Sequence, residues 1–159
     1  MILRLIVENI ASFKNAVEFN TFPSSKSQSH NNHKVKCGHA TALRLGAIYG
    51  ANGAGKSNLI KSLFLLKQLI GLESLQKFPI GDSLAFKLDP TYSERPSGIA
   101  VEFYHGNNIY YYHIEFDRSQ VYTEELLLSK KSKDEPIFKR ENNTINIYHS
   151  FFANGANEQ

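Results

Sequence analysis

Gly50-Ala51-Asn52-Gly53-Ala54-Gly55-Lys56-Ser57 is the stretch from which the rest of the chain can be read. It satisfies G-x-x-x-x-G-K-[ST], the spacing of a loop that wraps a phosphate chain when a strand precedes it and a helix follows. Both flanks fit. Leu43 to Tyr49 is a short apolar run with β-branched and aromatic members, suited to a strand buried in a sheet. From Ser57 onward, Leu59, Ile60, Leu63, Phe64, Leu66, Lys67 and Ile70 recur at the spacing of one helix face, which stops near Gly71.

In that order of elements each residue type has its own task. Glycines let backbone N–H groups turn inward where a β-carbon would obstruct the approach of an anion. The helix start adds the positive end of its dipole. Lys56 is expected to reach the β- and γ-phosphates of ATP, and the Ser57 hydroxyl to ligate Mg²⁺. The expected nucleotide-binding residues are therefore Gly50, Ala51, Asn52, Gly53, Ala54, Gly55, Lys56, Ser57 and Asn58, with Ser57 as the metal ligand and Lys56 acting on the reacting phosphates. Hydrolysis needs more than this loop, because a water must be positioned and the developing charge neutralised.

Outward from the loop, Ile2 to Val7 and Val17 to Phe22 read as paired opening strands around Ser12-Phe13-Lys14-Asn15. Pro23 to Thr41 is rich in Ser, Asn, His and Lys without hydrophobic period, and reads as a long exposed loop. After Pro79 the character turns to β. Ile99 to Tyr104 and Ile109 to Phe116 flank Gly106-Asn107-Asn108 as a hairpin, Val121 to Leu128 adds a strand, and Ile137-Phe138 and Ile145 to Tyr148 flank the turn-like Glu141-Asn142-Asn143. The expected fold is α/β: a mixed sheet carrying the phosphate loop and its helix, joined to an antiparallel layer.

Composition sets the outer limits. The 159 residues suffice for one domain, and 42% hydrophobic with 21% charged residues is a globular profile. A net charge of +3 lends little weight to a polyanionic partner. One cysteine, Cys37, excludes an internal disulfide framework, and with no signal-peptide core a cytoplasmic setting is expected. No apolar run approaches the roughly 20 residues of a membrane helix, so no membrane partner is expected.

Three features together, Ile6-Val7-Glu8-Asn9-Ile10-Ala11-Ser12-Phe13-Lys14, the stretch Ile48 to Ile60 and the later β layer, resemble the P-loop heads of ABC-type ATPases, above all the SMC, Rad50 and OLD-like ones. Ala51-Asn52 in the loop and Ser57-Asn58-Leu59-Ile60 after its lysine are similar to PtuA-like ATPases of Septu and retron antiphage defence modules. The resemblance implies that residues 1–159 are the N-terminal lobe of such a head, since no Leu-Ser-Gly-Gly-like signature, no apolar strand ending in Asp-Glu and no switch histidine occurs by Gln159. It further implies a second head as partner in a homodimer or higher oligomer, an HNH nuclease effector, contact with DNA or an RNA–DNA hybrid, and weak hydrolysis by this lobe alone. Val121-x-x-Glu124-x-Leu126 with Phe138-x-Arg140 is similar to the segment leading to the Q-loop, which makes Glu124 the candidate for the polar group near Mg²⁺ and water; exposed carboxylates beside a strand give the plainer reading. The alternative within the same fold is a DNA-maintenance ATPase of the SMC, Rad50 or RecF kind.

Three other constellations have plainer explanations. His30, His33, Cys37 and His39 are soft or borderline ligands within ten residues, but the spacing matches no standard zinc finger, and a polar surface loop is the simpler account. Tyr104, Tyr110, Tyr111, Tyr112 and Tyr122 cannot form one base-stacking platform, because strand residues alternate faces. Lys130-Lys131-Ser132-Lys133 reads as solvated charge at a turn.

Overall fold

A computed structural model of the chain describes residues 1–26, 29–71 and 84–148. Pro79, where β character was expected to begin, lies outside the described residues. Seven strands form one antiparallel sheet in the order β2-β1-β5-β6-β7-β8-β9. They are β1 (Ile2–Glu8), β2 (Val17–Asn20), β5 (Ser97–His105), β6 (Asn108–Phe116), β7 (Val121–Ser129), β8 (Glu135–Glu141) and β9 (Thr144–Ile147). β3 (Lys34–Cys37) and β4 (Ala40–Leu43) make a separate two-stranded hairpin, and the α-helix α1 spans Lys56–Gly71.

The register explains the layer. β5 and β6 pair over nine residues, from Ser97 opposite Phe116 to His105 opposite Asn108. Their connection is the two residues Gly106 and Asn107, at φ +53° and +67°, the left-handed pair that matches the twist of a tight hairpin. Val101, Tyr112 and Leu126 lie opposite one another on one face, beside Ile99, Ile114 and Glu124. Tyr111 falls on the other face, so the tyrosines divide between faces as alternation predicts. The first face meets α1: Leu59, Leu65, Leu66 and Leu69 are buried with Leu5, Val7, Ile99, Val101, Tyr112, Ile114 and Phe116. A smaller core of Leu3, Cys37, Ala42 and Ile109 closes the hairpin against one end of the opposite face.

Three expectations need correction. Pro23 to Thr41 is not all exposed loop: its second half contains β3 and the start of β4, and Cys37 is fully buried. Lys34-Val35-Lys36-Cys37 does alternate, but four residues are too short a run to stand out as a strand. Leu43 to Tyr49 is not a buried strand: β4 ends at Leu43, and residues 44–50 pair with no described strand. Leu45 is 76% and Tyr49 89% exposed, and the sheet of the described residues is antiparallel rather than mixed, because no strand flanks this run on either side.

The helix face is the third. α1 buries Leu59, Ser62, Leu65, Leu66 and Leu69, whereas Ile60, Phe64 and Ile70 are exposed. The helix is apolar nearly all round, so period alone could not choose the side that meets the sheet. Among the described residues no helix is long and apolar enough to cross a membrane.

Candidate functional site

The segment 44–50, in neither helix nor strand, leads into the glycine loop, and α1 begins at Lys56. Gly53 and Gly55 take φ +83° and +88°, backbone conformations that L side chains rarely adopt. Open space surrounds the position a β-carbon would take at Gly53. Its glycine is therefore required by conformation and not by crowding. At Gly55 both reasons hold, since a β-carbon would stand 2.8 Å from Ser12 Oγ and 3.0 Å from Phe13 Cε1.

Leu59 N–H donates to Gly55 O at 3.0 Å as the helix opens, which leaves the amides of Lys56, Ser57 and Asn58 ahead of the intrahelical ladder. Those amides and the helix dipole make an anion site. Lys56 Nζ donates to Gly50 O and Ala51 O, both at 2.7 Å, and so arches over the loop between its first residues and the helix start. Gly50, Ala51, Asn52, Gly53, Ala54 and Ser57 are exposed, with Gly55, Lys56 and Asn58 half-buried. The nine expected residues thus stand together in one accessible loop. Its donor set of backbone amides, one ammonium and one hydroxyl suits a polyphosphate with a hard cation.

Two further neighbours of the loop come from the other end of the chain. The turn after β1 closes through Ile10 N–H to Phe13 O at 3.0 Å and Phe13 N–H to Ile10 O at 2.8 Å. Its tip meets Gly55, and Asn58 Nδ2 donates to Ser12 Oγ at 3.0 Å. Behind the tip, Asn9 is buried and binds residues 84–97 on several sides. Nδ2 donates to the carbonyls of Tyr92, Arg95 and Pro96, Oδ1 accepts from Phe86 N–H at 3.0 Å, and Ser97 Oγ donates to the Asn9 carbonyl at 2.7 Å. Lys14 adds an ion pair with Asp89 at 2.9 Å and lies over the Tyr92 ring, which Arg95 also covers. The hydrogen bond from Lys14, joined by those from Thr91, holds the Asp89 carboxyl down at about 2. Ile6 to Lys14 shares in the family resemblance, yet nothing in its residue types predicts a contact with Gly55 more than 40 positions away.

Glu124 sits in mid-β7. Its Oε1 accepts from Tyr112 Oη at 2.7 Å, and Oε2 is 3.6 Å from Arg140 Nη1. Burial first, and then this bond to Glu124, pushes the Tyr112 phenol far above the usual tyrosine range. The partners of the Glu124 carboxylate among the described residues are these two, and neither belongs to the phosphate loop. In the loop before β3, His30 and His33 lie edge to face with ring centroids 5.8 Å apart, while Cys37, the last residue of β3, is buried against Leu3, Ala42 and Ile109. Among the described residues no three His, Cys, Asp or Glu side chains are grouped to hold a metal.

A glycine loop with left-handed glycines, an arching lysine and a helix start behind it define a P-loop nucleotide-binding protein. The model of the family described as "AAA domain, putative AbiEii toxin, Type IV TA system" matches residues 46–157, and the chain belongs to that family of P-loop ATPases. No curated protein matches the chain.

Proposed function

We propose that the protein binds Mg²⁺-ATP at Gly50 to Asn58 and acts as the N-terminal lobe of an ABC-type ATPase head whose nucleotide state controls an effector. The single observation that carries the binding reading is the accessible loop itself, with Lys56 held across it and Ser57 at the first turn of α1. Lys56 would pair with the β- and γ-phosphates and Ser57 would help to hold Mg²⁺, which would offset the phosphate charge. Glu124 would join the site only by exchanging its bonds to Tyr112 and Arg140 for a water or the metal.

The lobe reading is supported by the apolar surface beside the loop. Leu45, Ile48 and Tyr49 run exposed toward it, and Ile60, Phe64 and Ile70 are exposed along α1; large apolar side chains left open in this way are what a covering partner would bury. A second lobe, with strands to flank residues 44–50, would cover it and supply the groups that hydrolysis needs. Two heads closing over ATP, an HNH nuclease as the controlled effector and antiphage defence as the process follow from the resemblance to PtuA-like ATPases. The toxin and toxin–antitoxin wording of the matching family leans the same way. A DNA-maintenance ATPase is the second reading, and stimulation of turnover by DNA would favour it.

The test is calorimetry of Mg²⁺-ATP on this chain beside turnover by the longest version the gene encodes. Binding by the short chain with hydrolysis only by the long one supports the lobe reading. Efficient turnover by residues 1–159 alone defeats that reading, and absence of binding in both defeats the site.

A further inference from the structure

We propose that Ser12 and Asn9 are positioning residues of the phosphate loop, Ser12 acting through Asn58 and Asn9 by holding the turn that carries Ser12. The proposal rests on the nucleotide-binding reading above. Its starting point is backbone strain. Asn9 and Ala11 have φ +50° and +52°, two non-glycine residues in the left-handed region within three positions, a conformation that persists only where surroundings enforce it.

The surroundings of the turn enforce it. Both ends of the buried Asn9 amide are hydrogen-bonded to residues 86–96, and Ala11 N–H donates to Leu84 O at 2.7 Å. What this clamp fixes is the tip of the turn, Ser12 and Phe13, against Gly55, where a β-carbon would crowd both side chains. Ser12 Oγ then holds the side chain of Asn58, the neighbour of the expected Mg²⁺ ligand Ser57.

A folding role is a poor account of that last bond. Ser12 is exposed, and an exposed hydrogen bond that exchanges with water contributes little to stability. Its effect falls on the orientation of the first turn of α1, where a misplacement of about 1 Å is costly to a phosphate site.

The experiment measures Mg²⁺-ATP affinity by calorimetry, together with Tm, for the full chain and for Ser12→Ala, Asn58→Ala, their double variant, Asn9→Ala and the reference Lys56→Ala. Ser12→Ala and Asn58→Ala are each expected to weaken binding about three- to tenfold. The double variant should be no weaker than the worse single one, and Tm should stay near that of the unmodified chain. Asn9→Ala should lower Tm and weaken binding at temperatures where it is folded. If it does not fold, the Ser12 and Asn58 cycle still decides. Unchanged affinity in Ser12→Ala beside lost binding in Lys56→Ala overturns the proposal and leaves the nucleotide site standing. Independent, additive losses overturn the action through Asn58. If the unmodified chain does not bind, both readings fall.

Discussion

Strands β5 to β8 spend their hydrogen bonds and apolar side chains on one another, while Leu45, Ile48 and Tyr49, no less apolar, run exposed toward the phosphate loop. Both regions are rich in residues that favour strands. The difference is whether neighbours exist within the described residues, and it shows that an apolar run states a demand for partners without saying which chain segment meets it. In the layer the demand is met locally, through short turns between consecutive strands. Beside the loop it is left open, and there the surface carries the chemistry.

The sharpest way to break the comparison is to damage each side and ask whether the other notices. Phe116→Ala removes a fully buried ring from the core under α1 and should cost about 3–5 kcal/mol of stability, read as a lowered denaturant midpoint. Lys56→Ala should do the converse: ATP affinity falls about 10- to 100-fold, the loss of a hydrogen-bonded charge, with Tm of the chain hardly moved. A large drop in Tm for Lys56→Ala would mean that the loop is part of the core after all.

Acid offers a smaller effect confined to the layer. Partial burial pushes the Asp117 carboxyl up, but the hydroxyls of Tyr122 and Ser119 and the amides of Ser119 and Gln120 outweigh it and hold it at about 2. The unfolded chain takes up the proton at higher pH than the folded one. The stabilisation is therefore present above about pH 4 and is lost as pH falls toward about 2. Asp117→Asn should flatten this part of the profile in thermal melts, by at most about 1 kcal/mol once solvent screening is allowed for. An unaltered acid limb would show that these bonds persist with the protonated carboxyl.

The smallest effect sharpens the other side. Phe64 is 64% exposed on α1, so Phe64→Ser should change the stability of this chain by no more than about 0.5 kcal/mol. In the longest protein the gene encodes, the same substitution should cost clearly more if a second lobe covers the helix. Equal, negligible effects in both would leave the apolar face without a cover.

How much was legible follows the same division. The hairpin at Gly106 and Asn107, the strands after it and the turn at Asn142 could be read because their signals are local: two-residue turns and alternation. The phosphate loop could be read because glycines at fixed spacing before a helix start are a local signal, whereas the packing of Gly55 against Ser12 and Phe13 is not. The burial of Leu65 and Leu69 in place of Ile60 and Phe64 could not be read, since both sides of α1 are apolar and the sheet chooses between them. Nor could the clamp at Asn9, whose four side-chain bonds all reach residues more than 70 positions away.

The nine-residue pairing of β5 with β6 across Gly106 and Asn107 also bears on the order of events in folding. Its ends are joined by only two residues, so closing it costs little chain entropy, whereas β1 must find β5 across some 90 residues. We expect the amides of β5 and β6 to gain protection first in pulse-labelled hydrogen exchange during refolding, with β1 and the phosphate loop following. Earlier protection of β1 would place the nucleus at the N-terminus instead.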